Sequence, residues 1–202
     1  MHNVLGMTYD RAVIVFLVAT LVVLVLHCLV AVASGNASSP RPQWSRFARG
    51  VYTVTVMTVI TLGATSFYGI LTVGVMQGWL LLIHVLTAGV FVVVLLLMAI
   101  MWVRACRFGT PGSTRATDPI AKESQHVDHA KAHFSSLTKL TFWLLLVSGV
   151  VTAGTMLLSM SPYMDTDAMH WLVNVHRYSG LLLVVTTLVH LYLVILGRFG
   201  LE

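Results

Sequence analysis

The segment VNVHRYSGLLLVVTTLVHLYLVI, residues 173–195, limits most strongly what this chain can fold into. It is apolar over more than the ~20 residues that a helix needs to cross the hydrocarbon core of a bilayer. Four further runs share this character, so five spanning helices are expected at about 11–34, 50–74, 78–103, 137–160 and 170–197. The composition agrees. Of 202 residues, 57% are hydrophobic and 9% charged, a balance that ordinary soluble domains do not have. Lipid offers no partner to a free backbone N–H or C=O, which leaves the helix as the form for runs of this length. The expected fold is therefore all-α: one integral membrane domain, a bundle of five transmembrane helices. The first run is too long for a signal peptide, and residues 1–10 lack the basic start of one.

Charge placement orients the bundle. Let side Y be the side on which the first helix ends and side X the side on which it starts. Arg41, Arg46, Arg49, Arg104, Arg107, Arg115, Lys122, Lys131, Lys139 and Arg198 fall on side Y, and only Arg11 and Arg177 on side X. The positive-inside rule makes Y cytoplasmic, with the N-terminus outside, the C-terminus inside and a cytoplasmic loop over 104–136. The basic balance reflects this bias and gives no reason to invoke nucleic acid. Cys28 and Cys106 have neither a disulfide pattern nor metal-motif spacing. No phosphate loop, dinucleotide glycine fingerprint or nucleophile elbow is present, and no segment has room for a soluble catalytic domain.

The spans carry four histidines, which are costly in lipid and read as functional by default. His176 and His190 stand fourteen residues apart. On a helix they fall within about 40° of one face and about 21 Å apart along the axis. Depth sorts all four. His84 and His176 each lie about six residues in from side X, and His27 and His190 about seven from side Y. Two pairs at matched depth are expected, His84 with His176 and His27 with His190. A bare zinc or copper ion usually takes more ligands close together. Two imidazoles from separate helices suit a six-coordinate haem iron, which leaves no open position and favours electron transfer. Gly89 and Gly180, close after His84 and His176, are small enough for a flat macrocycle to approach. Arg177 is placed to meet its propionates. His2, His126, His129 and His133 are read as solvated, and His170 beside Trp171 as an interfacial anchor.

The pieces GWLLLIHVLTAGVFVVVLLLMAIMW, KLTFWLLLVSGVVTAGTMLLSM and HRYSGLLLVVTTLVHLYLVI resemble the cytochrome b subunits of formate dehydrogenases and of membrane-bound nickel–iron hydrogenases. The resemblance covers about residues 46–198. It implies a four-helix core binding two b haems, here with one additional N-terminal helix. Such a subunit relays electrons between other subunits of a membrane oxidoreductase complex and quinone in the cytoplasmic membrane. By position, His84 and His176 resemble the outer-haem ligands and His190 one inner-haem ligand. The sequence RFAR puts Arg49 where the family has its other inner ligand, and His27 is the replacement expected from the depth pairing. Arg46 or Arg49 would then meet the inner propionates, and Lys139, His133 and Thr138 sit at the edge where the family binds quinone.

Two other readings remain open at this point. One is a single-haem anchor subunit held by His84 and His176, which the arginine at position 49 motivates. The other is a haem-free transporter or assembly protein using the histidines for protons or metal ions. No reading makes the chain a stand-alone enzyme.

Overall fold

The computed structural model describes residues 8–34, 44–74, 76–107, 135–162 and 164–199. Five long helices account for nearly all of them: α1 Tyr9–Ser34, α2 Arg46–Tyr68, α3 Gly78–Trp102, α4 Ser136–Ser159 and α5 Thr166–Phe199. Each contains a span long and apolar enough to cross a membrane. The expected loop over 104–136 and the candidate His133 fall almost wholly outside the described residues.

Short polar residues start the helices where the sequence turns from loop to apolar run. The Ser45 hydroxyl accepts the Ala48 N–H at 3.1 Å ahead of α2, and Ser135 accepts the Thr138 N–H at 3.3 Å ahead of α4. The Asp165 carboxylate accepts the Ala168 N–H at 2.8 Å at the start of α5. Each satisfies one of the amide donors that a helix leaves free in its first turn. The α5 helix thus begins at Thr166 rather than near residue 170.

The second span ends differently from the sequence expectation. After Tyr68 the backbone widens into a π turn, Gly69–Val73, closed by the Gly74 N–H on the Gly69 carbonyl at 2.9 Å. Gly74 stands at φ +80, a conformation that favours glycine. Gly69 has a different role. A Cβ there would lie 2.5 Å from the Met76 side chain, so its bare backbone lets the X-side connection fold down against α2.

The helices α2, α3, α4 and α5 close into a ring, with α2 on α3, α3 on α4, α4 on α5 and α5 on α2. α1 packs outside this ring against α5. The core of the ring contains Val59, Phe91, Leu95, Met98, Phe142, Leu145 and Leu183. Two glycines set how closely the helices approach. A Cβ on Gly149 would meet Leu95 at 3.0 Å, and one on Gly63 would meet Val184 at 3.0 Å. The outer surface is apolar. Leu21, Val23, Leu26 and Leu29 of α1 are each more than half exposed, as are Leu86, Leu96 and Ile100 of α3. Exposed apolar side chains on this scale suit lipid rather than water around them.

Candidate cofactor site

The ring of helices is not filled along its whole length. In its X half lies a cleft of about 250 Å³. Its walls come from all four ring helices: Gly63 and Phe67 of α2, His84 and Gly89 of α3, Thr152 and Met156 of α4, and His176 and Gly180 of α5. Tyr9 and Arg177 line it as well. The structure therefore brings His84 and His176 to one cleft from two separate helices, as their depths in the sequence predict. Their local settings are alike. The His84 Nδ1 lies 2.9 Å from the Thr65 hydroxyl of α2. The His176 Nδ1 lies 3.2 Å from the Thr155 hydroxyl and 3.1 Å from the Thr152 carbonyl of α4.

The cleft is smooth where the sequence has glycine. A Cβ built on Gly89 meets nothing within 4 Å, and one on Gly180 touches only the Thr152 methyl at 3.9 Å. Neither glycine is needed to let protein pack on protein, unlike Gly149. Together with the two imidazoles, Gly89 and Gly180 leave an apolar cleft with two nitrogen donors on its wall. A second cavity of about 200 Å³ adjoins the first and shares Ser66, Met156, His176 and Arg177 with it. Thr155 and Ser159 add hydroxyls there. Arg177 thus lines both spaces. Its backbone carbonyl accepts the Tyr9 hydroxyl at 2.9 Å, and its guanidinium lies 5.8 Å from the Tyr9 ring centre. A cation in that position is suited to acidic groups at the rim of a ligand in the cleft.

The Y half is built in the opposite way. His190 is buried, with its Nδ1 2.9 Å from the Thr141 hydroxyl. The Tyr52 ring centre lies 6.0 Å and the Phe142 ring centre 6.5 Å from the imidazole. Trp44 meets Tyr52 edge-on at 5.1 Å and Trp102 at a tilt at 5.7 Å, extending the aromatic packing. The space left beside His190 is about 10 Å³, roughly what one water needs.

The expected pairing of His27 with His190 is not made. His27 is exposed on α1 where it meets α5, and its Nδ1 lies 2.8 Å from the Tyr192 hydroxyl. Tyr192 follows His190 by two positions on α5, which places the two side chains about 200° apart around the helix. The depths match, but the two histidines occupy opposite sides of α5. Arg46 and Arg49 are exposed at the start of α2 and do not line the His190 space. Thr138 does line it, and its hydroxyl is 3.0 Å from that of Ser135. Lys139 is half-buried next to it.

The threonines beside the histidines were not foreseen. Thr65, Thr141 and Thr155 are buried hydroxyls inside apolar spans, and that is the signal that would have found them. Comparison of the chain with family models, curated proteins and solved structures returns no match.

Proposed function

We propose that this chain is a b-type membrane cytochrome that holds one haem between His84 and His176 and carries electrons for a partner oxidoreductase. The observation behind this reading is the glycine-walled cleft in the X half, which two imidazoles from facing helices enter. A haem held by two imidazoles supplies a one-electron change at iron with no open position for substrate. The chain's own residues do the rest. His84 and His176 would hold the iron. Gly89 and Gly180 would leave the ring room. Phe67, Phe91 and Met156 line the cleft and would keep water out, and Arg177 would meet the acidic groups of the ligand.

The positive-inside rule puts side X on the outer face of the cytoplasmic membrane, with the haem near the surface where an electron-donating or electron-accepting subunit docks. Quinone is the expected partner within the lipid. Lys139 and Thr138 lie at the far edge, beside the filled His190 space, so on this reading exchange with quinone belongs to the X half.

The closeness of packing around His190 is what favours one haem over two. The test is the ratio of haem to protein in the purified chain, measured as the pyridine haemochrome. One haem per chain is expected. Two would restore the dihaem reading, and none would leave the haem-free transporter or assembly protein.

A further inference from the structure

Three ring histidines share one arrangement. His84, His176 and His190 each present Nδ1 to a threonine hydroxyl on the neighbouring helix. Each of those hydroxyls is already engaged. The Thr65 hydroxyl donates to the carbonyls of Thr61 at 2.8 Å and Leu62 at 3.1 Å. The Thr155 hydroxyl donates to the Thr152 carbonyl at 2.8 Å. The Thr141 hydroxyl donates to the carbonyls of Leu137 and Thr138, both at 3.1 Å. A hydroxyl has a single hydrogen. Where that hydrogen stays on the helix backbone, the oxygen meets the imidazole as an acceptor and Nδ1 is the donor. His176 leads to the same result by a second route. Its Nδ1 is also 3.1 Å from the Thr152 carbonyl, which cannot donate. In a neutral ring, protonation at Nδ1 leaves the lone pair on Nε2.

We propose that Thr65 and Thr155 are positioning residues that fix His84 and His176 as Nδ1–H tautomers, keep the Nε2 lone pair toward the cleft, and set the reduction potential of the iron held there. An acceptor on the far nitrogen makes an imidazole more basic and steadies its orientation. A more basic ligand favours the ferric over the ferrous ion, so this pair of threonines holds the potential down. The part concerning iron rests on the haem reading, whereas the tautomer assignment stands without it.

Two measurements separate these parts. In the full chain prepared without haem and labelled with ¹⁵N-histidine, magnetic resonance reads which ring nitrogen carries the proton. His84 is expected to be protonated at Nδ1, to remain so in Thr65→Ser, and to revert in Thr65→Val to the Nε2-protonated form usual for a free imidazole. Protonation at Nε2 in the unaltered chain would overturn the tautomer assignment, whether or not the protein binds haem. In the haem-loaded chain, loss of such a partner typically weakens metal binding about tenfold or more. A tenfold loss borne by the ferric state raises the midpoint potential by about 59 mV. Thr65→Val is expected to show that rise together with altered low-spin ferric resonance, and Thr65→Ser to match the unaltered chain. An unchanged potential and resonance in Thr65→Val, or an equal shift in Thr65→Ser, would overturn the tuning role. A chain that takes up no haem at all would fail the cytochrome reading instead and leave the first measurement standing.

Discussion

Adding one methyl group at Gly89 separates a glycine kept for a ligand from a glycine kept for packing. A Cβ at this position meets no atom within 4 Å, and the residue lines the cleft that His84 and His176 enter. In the haem-free chain Gly89→Ala therefore causes no clash, and it removes the conformational freedom of a glycine inside a helix, a gain of at most about 0.5–1 kcal/mol. On the haem reading the same methyl would stand where the macrocycle lies. Overfilling a well-packed site costs about 1–3 kcal/mol, which corresponds to haem binding weaker by about 5- to 150-fold. The two effects have opposite signs, so a general loss of folding cannot imitate them. Thermal unfolding of the haem-free chain reads the first, and titration of haem into that chain reads the second. Gly149→Ala is the comparison, because its Cβ would press on Leu95 at 3.0 Å and on Phe91 at 3.1 Å. It is expected to lower the unfolding temperature of the haem-free chain. If Gly89→Ala bound haem with unaltered affinity, the ring would not lie against α3 and the assignment of the cleft would fail.

Further outcomes follow from the same geometry. His84→Ala and His176→Ala are each expected to lose the low-spin b-type spectrum, while His27→Ala, whose ring faces Tyr192, keeps a full complement of haem; equal loss in all three would count against the cleft. His190→Leu is expected to retain one haem per chain, and a fall in haem content would mean that the Y half binds a ligand. Burial pushes the Cys106 thiol up to about 11, so at pH 8 about one in a thousand is thiolate; maleimide labelling in mild detergent is expected to be far slower than for free cysteine, and rapid labelling would show that the end of α3 opens. Gly74→Ala forces a side chain onto a backbone at φ +80 and is expected to destabilise the X-side turn by about 1 kcal/mol, read as a lower unfolding temperature.

The spans were legible in the sequence because the hydrocarbon thickness fixes a length and lipid fixes a composition. The expected limits of the first, third and fourth helices lie within about two residues of Tyr9–Ser34, Gly78–Trp102 and Ser136–Ser159. The π turn at Gly69–Val73 was not legible. Its cause is a long-range approach of Met76 to Gly69, which no local pattern records. Depth along a helix can be counted from the sequence, and His84 and His176, matched in depth, line one cleft. Direction around a helix depends on which neighbours pack where, and His27 with His190 failed on that account. Arg49 stands where the resemblance to cytochrome b subunits would put a histidine. The same end of α2 contributes Tyr52, and Trp44 just before it, to the packing that fills the space beside His190. The threonine partners escaped notice because a hydroxyl in a spanning helix usually bonds back to its own turn. These do so too, and only the neighbouring helix reveals what the oxygen does with its remaining lone pairs.

The aromatic packing of Trp44, Tyr52, Trp102 and Phe142 has a bioenergetic corollary. On the one-haem reading it insulates the inner leaflet, so an electron arriving at the outer surface finds no second station on the way to the cytoplasm. A respiratory complex wired through such a subunit would reduce or oxidise its lipid-borne partner on a single face, and any membrane voltage it helped to build would have to come from some other member of the chain.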